Sequence, residues 1–483
     1  MVLLVWSAYS TELASTLASG ASTPWPMVDR WLDPELRTLD PSCHADELRQ
    51  SLYMRGFLVT EWLGIDRTTA MAFSLLLGFV AVAYASVVLV RSFSPFSPPA
   101  AWLLFAMWNL ATLVPKVDLA NFTGGLTGLG QMYEPAFACG LLAIAAVLRR
   151  SWIVFGCFVA IGALCHIAIA FYFAAVAVVM ALPALRREDW PRFAVGVLIA
   201  VGVSGAWAVG IAADMPEQMT KFDWMRYARF GNYHWFPVDL GLFGKLHHRS
   251  GFTIFLCIAL CGMVAIRFVK DRRRRRQWWL GVCAALVLTV AGIGAGIMGE
   301  EPAFVKLGMH RASAMVTQLS MLVVVLFLVE AVRSRGAVAC LGILVVFFAT
   351  AQGIGPAIAL VLLILMLMQS TAGTRWVPLL AIGMLVAWLI SVWFRGHLGG
   401  WQAIVLGTSR DSSWGDWRLI IFGDVIDVSR SWKWAIVLLA WIVVSGIRHW
   451  CPKKTAGRSA GFVLILSVVM VIALAHASTV AWE

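Results

Sequence analysis

Charge is what this chain has least of. Only 13% of its 483 residues are Asp, Glu, Lys or Arg, while 60% are hydrophobic. A soluble domain carries roughly a quarter charged residues, so a water-soluble globule is excluded. Other absences narrow the field. No P-loop is present, and no G-x-G-x-x-G string follows a strand and opens a helix as a dinucleotide fingerprint does, which argues against a nucleotide-sugar or ATP site. The nine cysteines form no metal-ligand cluster with histidine; most lie inside apolar runs, where Cys behaves as a small hydrophobe. Cys43 and Cys451 fall on opposite sides of the expected topology, and no disulfide framework emerges. The run Val2–Ala18 lacks a basic flank of the kind a cleavable signal peptide needs. No internal repeat of the transporter kind is visible.

What is present is apolar length. Lipid offers the backbone no hydrogen-bond partners, so long apolar runs must be helices, and a span takes about 20 residues. The sequence predicts about fifteen spans by that measure, near 2–18, 69–90, 98–116, 133–148, 152–165, 167–184, 193–213, 251–268, 277–298, 312–331, 336–352, 355–369, 376–394, 432–448 and 460–479. The fold class is an all-α integral membrane protein, a polytopic bundle of about 13–15 helices, with residues 1–483 as one transmembrane domain. The pairs 152–184 and 336–369 read as kinked or re-entrant.

Basic residues give the orientation. Arg149/Arg150, Arg186/Arg187, Arg272 to Arg276, Arg333/Arg335, Arg375 and Lys453/Lys454 fall in short connections on one side, which the positive-inside rule makes cytoplasmic. The five-Arg run reads as a topology anchor near anionic lipid, not as a nucleic-acid site. Twenty of the 26 acids fall in the opposite loops.

The first external loop, 19–68, carries Asp29, Asp33, Glu35, Asp40, Asp46 and Glu47, with Pro34 and Pro41 just after two of the aspartates. Such acids cap helices, take a proton from a hydroxyl, or hold a divalent metal beside a phosphate. From Ala45 to Trp62 the pattern is amphipathic, and Leu48, Leu52, Phe57, Leu58 and Trp62 can form an interfacial face. The second loop is Gly-rich and bracketed by Asp118 and Glu134. His166 interrupts two apolar runs at the external membrane boundary, as a structural or a functional histidine. Loop 214–250 mixes aromatics with Arg229, His234, His247 and His248, a pattern shared by sugar-binding faces and interfacial belts. Lys306, His310 and Arg311 precede a span, where a helix N-terminus adds partial positive charge; the alternatives are phosphate binding and interfacial snorkelling. In loop 395–431, SSWGDWRLIIFGD reads as a short interfacial helix over a cleft.

The stretches WLDPELRTLDP (31–41), CHIAIAFYF (165–173) and KLGMHRASAM (306–315), set in this architecture, resemble the GT-C superfamily of polyprenyl-phosphate-dependent membrane glycosyltransferases, in a divergent bacterial branch. The resemblance implies a GT-C-like fold in a bacterial cytoplasmic (inner) membrane, with an extracytoplasmic active face. It implies transfer of a sugar from a polyprenyl-phosphate donor to a glycan, lipid or protein acceptor, with membrane lipid as surroundings and no nucleic-acid partner. By analogy an acid of the first loop acts as base or metal contact, which suggests Asp33 or Asp40, with Glu35 beside them and Mg or Mn as the metal. Lys306, His310 and Arg311 would hold the lipid phosphate, with Arg229, His166 and Glu134 as further substrate contacts. The rival readings are an O-antigen polymerase or ligase, and a lipid or polysaccharide transporter or assembly protein without catalysis.

Overall fold

A computed structural model describes residues 24–33, 51–110, 133–213, 255, 258–298 and 307–335, and the strand residues 409–410, 417–421 and 424–427. The expected spans 2–18 and those from 336 to 479 lie outside them, as does loop 214–250. The described chain is helical apart from one small sheet. Among the described residues five helical segments are long and apolar enough to cross a membrane: Arg67–Phe93, Ile167–Ala184, Arg187–Ile211, Arg272–Gly296 and Met309–Phe327.

The chain divides into two compact units, the first made of Met1–Thr112, Asp118–Leu240 and Lys270–Leu319. Its described residues begin with two short helices, α1 (Pro24–Leu32) and α2 (Leu52–Trp62), both within the expected 19–68 loop. Ser51 caps α2 by accepting from the Met54 amide at 3.3 Å. Then come α3 (Arg67–Phe93), α4 (Pro99–Leu110), α5 (Tyr133–Leu148), α6 (Trp152–Cys165), α7 (Ile167–Ala181) and α8 (Trp190–Ala213). Asp66 starts α3, taking the amides of Thr68 and Thr69 at 3.2 and 2.8 Å. The helix stops at Ser94, whose extended backbone is what a following proline (Pro95) favours. After α9 (Ile258–Phe268, in the second unit) comes α10 (Arg272–Met298). A 3₁₀ turn at Met309–Ala312 leads into α11 (Ser313–Arg335), whose residues from Ser320 on belong to the second unit.

Within the first unit α10 gives the axis. One stripe of it faces inward: Arg274, Gln277, Trp278, Gly281, Ala285, Thr289 and Gly292 recur at helical spacing and are closely packed or buried. At its start the Arg274 guanidinium donates to the Leu148 carbonyl at 2.7 Å, a cation at the C-terminus of α5. Gln277 donates to the Met180 carbonyl near the end of α7, and Trp278 to the Leu319 carbonyl. At its far end Gly292 lies against the backbone of His310, where a Cβ would collide. α10 therefore runs from the C-termini of α5 and α7 to the 3₁₀ turn before α11. Its 27 residues measure roughly 40 Å.

Small residues let the other helices close. α6 and α8 cross where Gly156 and Gly196 face each other's turn, and a Cβ on either would strike backbone. In lipid no hydrophobic force drives helix association, so such close packing has to supply it. Gly140 of α5 similarly makes room for the ring of Phe173 on α7.

The structure corrects the expected boundaries in three places. The five arginines Arg272 to Arg276 form the first turns of α10 and not a loop before it. Asp271 caps that helix through the Arg273 and Arg274 amides, and Arg is a good helix former. α8 likewise starts three residues before the apolar run it was read from, at Trp190. In loop 395–431 the expected interfacial helix is replaced by an antiparallel sheet of β1 (Ser409–Arg410), β2 (Trp417–Ile421) and β3 (Asp424–Asp427), in that order, with Leu419 opposite Ile426. The β-branched Ile420, Ile421, Val425 and Ile426 favour strand over helix.

The sheet belongs to the second unit, made of Leu113–Val117, Gly241–Val269 and Ser320–Glu483. There α9 meets α11: Gly262 abuts Ser320, and the rings of Phe268 and Phe327 lie 4.3 Å apart.

Candidate functional site

Three polar elements gather at the end of the first unit opposite Arg274. The first is the break between α6 and α7, made by one residue. His166 has an extended backbone (φ −157°), ending α6 and capping α7: its Nδ1 accepts from the Ile169 amide at 3.3 Å. The proton of a neutral imidazole then sits on Nε2. His166 is half-buried, with the Tyr133 ring 4.9 Å from its own. Burial, aided by the nearby Arg311 charge, pushes its pKa down to about 3. It is therefore a neutral hydrogen-bonding group near neutral pH, not a cation.

The second element is the 3₁₀ turn. Gly308 takes a left-handed conformation (φ 55°) and accepts from the Arg311 amide at 2.9 Å. This tight entry turns His310 and Arg311 into the protein, where they are 1% and 7% exposed. Snorkelling to the interface would leave both side chains exposed, so that reading of the pair is excluded.

The third is the start of α5. Glu134 is 4% exposed and lies over Gly78 of α3, where an added Cβ would come within 3.0 Å of the glutamate Cβ. Tyr53 of α2 lies near Glu134. Its hydroxyl hydrogen-bonds with the Ser74 hydroxyl of α3. Burial raises the phenol pKa, and the proximity of Glu134 raises it further. Tyr53 thus stays a neutral phenol beside the Glu134 carboxyl group.

An elbow joining α1 and α2 to the start of α3 is held by charge and rings. Arg67, at the start of α3, pairs with Asp29 of α1 at 2.7 Å and with Glu61 of α2 at 2.9 Å. Its guanidinium also lies 5.1 Å from the centre of the Trp25 ring. Trp25 and Phe57 meet edge to face inside a cluster with Val28, Met54, Ala70 and Met71. The amphipathic face expected on 45–62 is thereby divided. Met54 and Phe57 face inward, whereas Leu52 and Trp62 are exposed, Trp62 by 83%.

Of the nine residues proposed from sequence, the structure describes five. Glu134, His166, His310 and Arg311 come to this one end. Asp33 is exposed after the last turn of α1, its amide bonded to the Asp29 carbonyl at 2.8 Å. Glu35, Asp40, Arg229 and Lys306 lie outside the described residues. Among the described residues no group of three or more His, Cys, Asp and Glu converges as metal ligands would. Sequence reading missed Tyr53 and Ser74. A Tyr at a lipid-facing rate would have been unremarkable, but Tyr is scarce here, with 7 against 24 Trp, and that scarcity was a signal. The chain matches no family model, no curated protein and no solved structure.

Proposed function

We propose that this protein is a membrane glycosyltransferase that moves a sugar from a polyprenyl-phosphate donor to an acceptor hydroxyl, at the end of the bundle holding Glu134, His166 and Arg311. The observation that supports it is a buried Glu134 and a buried Arg311 on separate elements at one end of the unit, with neutral Tyr53 near the first and neutral His166 near the second. Burying charge is costly and is retained where it is used.

The chemistry follows from those groups. Glu134 takes the proton of the acceptor hydroxyl as its oxygen bonds to the anomeric carbon. The bond from that carbon to the phosphate oxygen breaks, and the electron pair leaves with the phosphate. Arg311, a fixed fork of donors, stabilises the charge that develops there. The His166 Nε2–H and the Tyr53 hydroxyl orient the sugar. Glu134 takes the base role in this reading ahead of Asp33, which is exposed.

The test uses purified protein, a short-chain polyprenyl-phosphate sugar and a glycan acceptor. Glu134→Gln should lower turnover by about two orders of magnitude or more with donor binding intact. Arg311→Ala should weaken donor binding more than Arg311→Lys, which keeps the charge but loses the fork. Wild-type donor affinity in Arg311→Ala would defeat the proposal.

A further inference from the structure

The outer face of α10 is built like a phospholipid. Opposite the packed stripe, Arg272, Arg276, Trp279, Cys283, Val287 and Val290 recur at spacings of four and three, so they form one line along the helix, and all six are exposed. The line changes character twice along its length. Two guanidiniums come first, then an indole 40% exposed, then a thiol and two valines exposed by 67–68%. That order matches a phosphate headgroup, a glycerol-level interface and an acyl chain.

The charge at the head of the line is surplus. Asp271 spends its carboxylate on the helix N-terminus. Glu188 and Asp189 pair with Arg150 and Arg186. Arg274 is turned inward onto Leu148. Among the described residues Arg272 and Arg276 have no ion pair, and exposed Arg149 and Arg187 stand on neighbouring connections that the Arg274 and Arg150 contacts tie to this end. A topology signal alone requires only that the charges be present; it does not require two of them to head an aromatic and apolar stripe on one helix face.

We propose that this face of α10 is a binding site for an anionic phospholipid of the surrounding leaflet. Its phosphate is held by Arg272 and Arg276, its glycerol backbone lies on Trp279, and a chain runs along Cys283, Val287 and Val290. Charge complementarity selects an anionic headgroup, because a zwitterionic lipid brings its own cation to the same two arginines.

The test is photo-crosslinking of detergent-purified full-length protein with a phosphatidylglycerol carrying a photoreactive acyl chain, mapped by peptide mass spectrometry. Crosslinks are expected on the peptide from Trp279 to Val290. The matching phosphatidylcholine probe should label it about tenfold less, and Arg272→Gln/Arg276→Gln should lower phosphatidylglycerol labelling by a similar factor. High salt should weaken labelling of the wild-type protein, which needs no variant to fold. Equal labelling by both lipids, labelling elsewhere only, or displacement by millimolar inorganic phosphate would each overturn the assignment. The last would mark a free-anion site in place of a lipid site.

Discussion

The ring of Tyr133 lies against the imidazole of His166, their centres 4.9 Å apart and tilted by 36°. That contact joins the first residue of α5 to the single residue separating α6 from α7. It fixes Glu134, the next residue, at the same end as the helix break. Three helices that are featureless apolar runs in sequence thereby acquire a common polar end.

A neutral His166 makes stability pH-dependent in a definite direction. The unfolded chain takes up a proton near pH 6.5, whereas the folded protein resists until about pH 3. The stability is fully present above 6.5 and is lost as pH falls through that window. Thermal midpoints should therefore drop between pH 7 and pH 5. His166→Asn retains a side-chain acceptor for the Ile169 amide but cannot titrate, so its acid limb should be flatter. Parallel acid limbs in the two proteins would rule out His166 as the source.

The meeting of α10 with the 3₁₀ turn has no spare room. Gly292→Ala places a methyl against the His310 backbone and should cost roughly 1–3 kcal/mol. Gly202→Ala, on an open face of α8, should be neutral or slightly stabilising through helix propensity. Detergent thermal melts of the two variants check this. Equal midpoints would mean that the turn adjusts freely, and donor binding by Arg311 would then not depend on it.

The elbow of α1 and α2 hangs on Arg67. Its side chain is 41% exposed, so solvent screens the two ion pairs and each contributes little. With the Trp25 contact added, Arg67→Met should cost on the order of 1–2 kcal/mol locally. The expected readout is faster hydrogen exchange confined to Pro24–Trp62. Exchange spread evenly over the first unit would show that the elbow is not an independent element.

Orientation has a direct measurement. A cysteine replacing exposed Leu63, after α2, and one replacing Arg272, at the head of α10, should react with impermeant maleimide from opposite sides of the membrane. Reaction of both from the same side would refute the charge-based topology and, with it, an extracytoplasmic site.

Among the described residues the sequence by itself determined that the apolar runs are helices. Apolar length fixed α5 and α6 to the residue, because in lipid a run either spans as a helix or leaves its backbone unsatisfied. It also determined that His166 breaks a run and that Glu134, His310 and Arg311 stand at span ends, since polar residues next to apolar runs are visible in one dimension. It misjudged where α10 begins, because arginine is hydrophilic by composition yet helical by propensity. Only the tertiary structure decided which of the acids and cations meet. Glu134 and Tyr53 are brought together by the fit of α2, α3 and α5, and Arg311 comes near His166 because Gly292 lets the turn before α11 lie on α10. Helix ends report their membrane depth through hydropathy, but their lateral neighbours are set by which small residues allow close packing, and that information lies in no single stretch of chain.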